Sequence, residues 1–317
     1  MIIYKFVSDI SAALELYNEI SNEKEILFKK LDLNEFKDIF LVENSVHIMA
    51  FENGLPVGFV SGNTDSIRRC GYVAYIGVKK EKRRQKVGST LMNMMIDSLV
   101  SSGVAKKVEC VFFCPSHLPW YIPGHFPHDH PCAPGVDASS VAYNFFLKLG
   151  FFEWTAQNSY YLNLCEFYIP ENVRRLTDRL SDESIEITLY DPKSHKGLYE
   201  LFINIGNMSW CDYVMKSIEK PISVAVDRKA DGLVVAYTGP IDTQPSGRGN
   251  FCGIGTHKEY RGRGIGKAVF FHMCEEQKKR GSTFMSLYTG KENPARHIYE
   301  SAGFKIVHEW ANMRLEF

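Results

Sequence analysis

Thr256-His-Lys-Glu-Tyr-Arg-Gly-Arg-Gly-Ile-Gly-Lys-Ala-Val269 lies without a gap on Val78-Lys-Lys-Glu-Lys-Arg-Arg-Gln-Lys-Val-Gly-Ser-Thr-Leu91, which stands 178 positions earlier. A second pair, Lys148-Leu-Gly-Phe-Phe152 and Ser301-Ala-Gly-Phe-Lys305, repeats at 153 positions. Each member of that pair runs on to a strand-like end, Tyr160-Tyr-Leu-Asn-Leu164 and Met313-Arg-Leu-Glu-Phe317. A chain of 317 residues, about twice the usual ~150 per domain, therefore reads as two copies of one fold. The unequal spacings leave an insertion of about 25 residues in the first copy, around 114–137.

Outward from these landmarks the hydrophobic pattern alternates between period two and period 3.6. The first copy reads as a strand at 2–6, helices within 8–21 and 35–41, and strands at 46–51 and 57–62 joined by the hairpin signal Asn53-Gly54. A strand at 72–78, a helix at 87–101, a strand at 107–113, the insertion, a helix at 139–149 and a final strand follow. Val87, Leu91, Met94, Met95 and Leu99 recur at helical spacing and are expected to pack on a sheet. The second copy repeats this order: strand 185–190, helices within 194–219, strands 222–226 and 233–237 around Asp231-Gly232, strand 250–256, helix 264–280, strand 283–288, helix 293–302 and strand 311–317. The fold class is α/β with a mixed sheet in each lobe, in the order β-α-α-β-β-β-α-β-α-β. The expected organisation is a first lobe over 1–165, a linker over 166–184 with a short helix at Glu171–Leu180, and a second lobe over 185–317.

Composition narrows the function classes. Hydrophobic residues at 45% and aromatic residues at 13% are enough for packed cores, and 37 basic side chains balance 37 acidic ones. A neutral chain has no global field for nucleic acid or an anionic membrane, so neither is expected as a partner. No apolar run approaches the ~18 residues of a membrane span, and the first residues alternate like a strand, so a cytoplasmic protein is expected. The eight cysteines are expected to be reduced thiols.

The chemistry lies in the quoted turn. Arg261-Gly262-Arg263-Gly264-Ile265-Gly266 follows a strand and opens a helix, where unsatisfied amides carry positive charge and glycines allow a phosphate close approach. Lys258, Arg261, Arg263 and Lys267 add cations. The stretch has no Gly-Lys-Ser/Thr of a phosphate-binding Walker loop, and its glycine spacing misses the dinucleotide pattern.

The run Arg261 to Gly266, joined to Asn293-Pro-Ala-Arg-His-Ile-Tyr299-Glu-Ser-Ala-Gly303-Phe304, resembles the acyl-CoA-binding and C-terminal motifs of the GCN5-related N-acetyltransferase (GNAT) family. With both lobes counted, the resemblance covers nearly the whole chain as a tandem arrangement. It implies two acyl-CoA N-acyltransferase lobes, each with a sheet splayed near its fourth and fifth strands, and acetyl-CoA as co-substrate. It further implies main-chain contacts to the pantetheine arm and thioester from Ile254 and Thr256. The pyrophosphate would lie on the amides around Arg263, Gly264, Ile265, Gly266 and Lys267, with Arg261 beside them. Tyr299 falls where the family keeps a tyrosine near the thioester sulfur. A phenol near pKa ~10 facing a thiolate near ~8.5 makes full proton transfer uphill by about 2 kcal/mol, so a hydrogen bond to the leaving sulfur is expected. The family often has asparagine seven residues before this tyrosine; here Glu292 holds that place and Asn293 stands beside it as the candidate pantetheine contact. Strand 250–256 has no acidic side chain, so a general base would act through water from Asp212 or His257.

The first lobe is a changed copy. Lys86 stands at the first glycine position of the motif and Phe146 at the tyrosine position, so turnover is expected in the second lobe. Val78, Arg83 and Gly88 are the weaker first-lobe candidates for coenzyme contacts, within a run from Lys79 to Lys86 that holds six basic residues in eight. The insertion carries five prolines between 115 and 131, with Trp120, Tyr121 and Phe126, which suits a stiff wall for an acceptor site or a lobe interface. Its Cys114, His117, His128, His130 and Cys132 match no common zinc-finger spacing, and no metal is expected. The expected activity is transfer of an acetyl group to a primary amine of a small molecule by direct attack. The alternatives are a non-catalytic acyl-CoA sensor or scaffold, and an acetyltransferase acting on a protein or peptide amine. The chain is expected to work as a monomeric pseudo-dimer or as a homodimer.

Overall fold

The first-lobe pattern gives β1 (Ile2–Phe6), α1 (Ser11–Ile20), α2 (Leu33–Phe40), β2 (Ser45–Glu52), β3 (Leu55–Asp65), β4 (Cys70–Val78), α3 (Val87–Ser101) and β5 (Lys107–Cys110) in the computed structural model, which describes residues 1–101 and 103–317. β1 to β4 are an antiparallel meander. Asn53 and Gly54 take φ of 51° and 79° at its first tight turn, as the left-handed hairpin turn requires. α3 buries Val87, Leu91, Met95 and Leu99 on the sheet, with Met92 and Ile96 also inside and Met94 at the margin. β4 pairs in parallel with β5 only from Cys70 to Tyr72, and its later residues part from β5.

The insertion folds as β6 (Trp120–Tyr121), β7 (Asp129–His130) and β8 (Val136–Asp137), followed by α4 (Val141–Lys148) and β9 (Phe152–Asn163). It is sewn to the segment after α1: Lys29 N–H donates to Pro119 O (2.9 Å), Tyr121 N–H to Leu27 O (2.8 Å), and Lys29 pairs with Asp129. Trp120 is fully buried. The stiff wall expected from the prolines is thus part of the first lobe's packed structure.

The second lobe comprises α5 (Glu171–Asp182), β10 (Ile185–Leu189), α6 (Leu198–Ile205), α7 (Met208–Lys216), β11 (Ser223–Asp227), β12 (Leu233–Thr238), β13 (Arg248–Gly249), β14 (Ile254–Thr256), α8 (Ile265–Lys279), β15 (Phe284–Gly290), α9 (Arg296–Ser301) and β16 (Lys305–Glu316). β10, β11, β12 and β14 form an antiparallel sheet, whereas β13 pairs in parallel with β15. The single strand expected at 250–256 is therefore shortened to β14, which follows β12; residues 250–253 are in no strand, the chain turns there at Gly253 (φ 75°), and β13 just before them follows β15. The expected linker helix is α5, and it is integral to this lobe, with Val173 and Leu180 buried.

The compact units follow a different division from the repeats: 1–159 with 307–317, and 160–306. In the first unit, β16 pairs antiparallel with β5 (Met313 opposite Cys110) and with β8 (Trp310 opposite Asp137). In the second, Tyr160, Leu162 and Leu164 join the core of Phe270, Phe271 and Tyr299. Each repeat thus gives its last strand to the other unit, β16 beside β5 in the first and the end of β9 beside β15 in the second.

Candidate functional site

The second-lobe turn has the geometry of an anion cradle. Gly262 and Gly264 take φ of 78° and 83°, conformations that a side chain strains. Gly264 offers no cap to α8, and among the described residues the amides of Ile265, Gly266 and Lys267 donate to no protein acceptor. A Cβ on Gly266 would stand 3.2 Å from Thr256 Oγ1, so glycine lets the first turn of α8 close onto β14. These features fit a phosphate group.

β14 presents the edge that an extended pantetheine arm needs. His257 N–H donates to Val235 O (2.8 Å), which fixes the alternation of the ladder. Ile254 and Thr256 therefore direct their main-chain groups away from β12, toward the splayed side. Arg261 closes the turn by donating Nε–H to Thr256 O (3.2 Å), and its terminal nitrogens make no ion pair among the described residues. Arg263 is held instead by Glu183, just after α5 (2.6 Å), and its carbonyl accepts from Arg179 of α5 (3.1 Å). Leu176 of the same helix packs where a Cβ on Gly264 would sit, 3.0 Å away. α5 is thus a brace for the turn. Lys267 lies over the Phe271 ring, 5.6 Å from its centroid.

Tyr299, on α9, is 4% exposed between Phe270 (ring centroids 5.1 Å apart) and Phe251 (5.8 Å). Among the described residues its hydroxyl makes no hydrogen bond. Burial pushes the phenol well above its usual range, with Tyr160 adding to the shift, so it stays a proton donor at neutral pH. Asn293 acts locally, where its Oδ1 accepts Ala295 N–H (3.0 Å) and shapes the turn before α9. Cys252, at the break between β13 and β14, is a residue the sequence did not single out. Burial raises its thiol to about 11, which leaves it protonated and weakly nucleophilic near pH 7. Asp212 and His257 stand on α7 and just after β14. His257 accepts Glu259 N–H (3.3 Å) as the cap of the following turn.

The first lobe repeats the backbone without the glycines. Arg84 and Lys86, aligned with Gly262 and Gly264, take φ of 62° and 65°. Arg83 donates Nε–H to Val78 O (2.9 Å), as Arg261 does to Thr256 O, but its guanidinium is also clamped by both oxygens of Glu23 (2.5 and 2.7 Å). Lys79 and Lys82 pair with Glu19 and Glu52, so half of the basic run is neutralised locally. Gly88 lies in the first turn of α3, and a Cβ there would meet Phe145 at an ordinary 3.5 Å. Phe146 fills the tyrosine place, 4% exposed against Phe151.

In the insertion, His117 Nδ1 lies 3.2 Å from Cys132 Sγ, while Cys114 points toward Asn63. Among the described residues no three histidine, cysteine or acidic side chains gather as a metal cluster, and no helix is long and apolar enough to cross a membrane.

Residues 13–115 match the model of the acetyltransferase (GNAT) family, and residues 221–306 match that of an acetyltransferase (GNAT) domain. The chain belongs to the GNAT acetyltransferases and carries two such domains in tandem. A tandem GNAT protein from the clavulanic acid biosynthesis pathway superposes with a TM-score of 0.63 at 12% identity, covering 100% of this chain and 98% of that one. A GCN5-related N-acetyltransferase from Sphaerobacter thermophilus gives 0.66 at 15%, over 99% and 95%. The GCN5-related glucosamine N-acetyltransferase region of a fungal multi-domain GH3 β-N-acetylglucosaminidase gives 0.75 at 17%, over 99% of this chain and 38% of that one. The uncharacterized N-acetyltransferase YsnE of Bacillus subtilis is 32% identical over 85 residues, 26% of this chain and 56% of YsnE. The chain thus matches little more than half the length of that curated relative.

Proposed function

We propose that the protein transfers an acetyl group from acetyl-CoA to a primary amine of a small molecule, with turnover in the second lobe. The observation that carries this reading is the conjunction in one unit of uncapped α8 amides, an outward β14 edge and a tyrosine hydroxyl without a protein partner. The amides of Ile265 to Lys267 would hold the pyrophosphate. The outward groups of Ile254 and Thr256 would align the pantetheine and polarise the thioester carbonyl, an effect commonly worth a few kcal/mol. The amine attacks the carbonyl carbon, the C–S bond breaks, and Tyr299 donates a hydrogen bond to the departing sulfur while the amine proton leaves through water. The protonated Cys252 supports direct attack over an acyl-cysteine route.

Thiol release from acetyl-CoA, measured over amino acids, aminosugars, polyamines and peptide N-termini, tests the proposal. Tyr299→Phe should lower kcat about 10- to 100-fold with the KM for acetyl-CoA within about twofold, since it removes one hydrogen bond made late in the reaction. Cys252→Ala should keep turnover. Saturable acetyl-CoA binding with no amine-dependent thiol release from any acceptor would replace this reading with that of a sensor or scaffold.

A further inference from the structure

Three of the eight cysteines reach solvent, and they differ in what faces the sulfur. The Cys252 thiol is raised by burial to about 11. Cys165 is exposed, with Thr283 O 3.9 Å from its Sγ. Cys132, in the insertion, is partly exposed and has an imidazole beside it, His117 Nδ1 at 3.2 Å from Sγ.

The main chain holds this pair together. Trp120 and Tyr121 of β6 pair antiparallel with His130 and Asp129 of β7, and the ladder runs on where Ala133 N–H donates to Leu118 O (2.9 Å). The segment carrying His117 therefore lies alongside the segment carrying Cys132. Trp120, fully buried, donates Nε1–H to Cys132 O (3.1 Å), and Cys132 N–H donates to His130 Nδ1 (3.1 Å). Pro115, Pro119, Pro131 and Pro134 fix φ on both segments. Both main-chain groups of Cys132 are thus engaged, and its thiol is left to meet His117.

Desolvation by the surrounding protein lowers the pKa of His117, so its ring is neutral near pH 7. With the ring proton on Nε2, Nδ1 accepts the thiol S–H. A thiol that shares its proton with an imidazole becomes a nucleophile as the proton moves to nitrogen. Among the described residues no third histidine, cysteine or acidic side chain gathers with the pair, which suits proton transfer rather than metal binding.

We propose that Cys132, with His117 as its base, is a thiol-modification site in the first lobe that takes low-molecular-weight disulfides. Cys132 Sγ attacks one sulfur of R–S–S–R while its proton passes to His117 Nδ1. The S–S bond breaks, and the departing thiolate takes that proton from His117 and leaves as RSH. Cys132 ends oxidised, as the mixed disulfide Cys132–S–S–R, and the other half of the reagent ends reduced. The site shares no residue with the second-lobe turn and does not depend on the proposed acetyl transfer.

The test is reaction of the reduced full chain with 4,4′-dithiodipyridine. Less than one equivalent followed by peptide mass mapping locates the mixed disulfide, and stopped-flow release of thiopyridone in excess reagent gives the rates. Cys132 should be labelled first. At pH 7 it should react roughly fivefold or more faster than the more exposed Cys165, since an ordinary thiol holds only a few per cent of thiolate there. Between pH 7 and 8 its rate should rise less than about twofold, whereas a thiol of pKa ~8.5 with no base beside it gains roughly eightfold. Cys132→Ser should remove the fast phase. His117→Ala should slow Cys132 about fivefold and restore the steep pH dependence, with the Cys165 rate unchanged. Should His117→Ala fail to fold in a thermal melt, the order of labelling and the pH profile of the parent still decide. The proposal is overturned if Cys165 is labelled as fast as Cys132, if the Cys132 rate climbs with pH like that of an unassisted thiol, or if folded His117→Ala reacts as the parent does.

Discussion

Gly264 and Lys86 hold the same left-handed backbone, φ 83° and 65°, at equivalent points of the two turns. For glycine this conformation is free of strain, whereas a side chain makes it costlier by roughly 1 kcal/mol. Lys86→Gly should therefore stabilise the first unit by about 0.5 kcal/mol, after the extra chain entropy of glycine in the unfolded state is subtracted. Gly264→Ala should destabilise the second by about 1 kcal/mol or more, since its Cβ also meets Leu176 at 3.0 Å, and it should raise the KM for acetyl-CoA. Urea denaturation of both variants, with opposite signs expected, checks the argument. His47 is a residue-scale test of pH. It is buried between β2 and β3 beside Ser61 Oγ (3.0 Å) and Ser45 Oγ (3.1 Å), and burial lowers its pKa from 6.5 to about 4. Between those values the unfolded chain takes up a proton that the folded chain refuses, so its contribution is complete above 6.5 and is lost as pH falls toward 4. The stability difference between the parent and His47→Gln should shrink by about 3 kcal/mol over that window. A constant difference would mean that His47 titrates alike in both states.

At the scale of elements, the break between β13 and β14 leaves the outer edge of β14 unpaired. β13 and β14 join two sheets, and the chain between them turns at Gly253, where the Trp210 indole of α7 packs so closely that a Cβ would come within 2.6 Å. Gly253→Ala should cost about 2 kcal/mol or more, through the left-handed φ of 75° and this collision, and should lower thiol release by disturbing the β14 edge. Unchanged stability and rate would show that the turn tolerates another conformation. The repeat, the element order, the glycine turn and Tyr299 were all legible in the sequence, because each depends on local spacing. The strand break was not, since Asn250-Phe-Cys-Gly253 alternates well enough for a strand and its turning is imposed by pairing to β12 and β15. Long-range partners were hidden for the same reason. Arg263 reads as a phosphate ligand until Glu183, 80 positions earlier, is brought to it by α5.

For the whole molecule, exchange of the last strands means that the repeats are not the folding units. Trp310, Ala311 and Met313 are buried in the first unit, Trp310 against Trp120 with ring centroids 4.9 Å apart, although they end the second repeat. Arg314 pairs there with Glu109, itself only 2% exposed. Deleting Val307–Phe317 would remove a buried tryptophan, typically about 3–5 kcal/mol by itself, and leave Glu109 with Lys107 as its remaining cation. The second unit keeps the core formed by Tyr160, Phe270, Met285 and Tyr299, which includes the strand lent by the first repeat. Truncation should therefore abolish the first unit's thermal transition, while acetyl-CoA still raises the melting temperature of what remains. Scanning calorimetry with and without acetyl-CoA separates the outcomes. Retention of both transitions would mean that β16 is dispensable to the first unit. Loss of both would mean that the two units fold only as one.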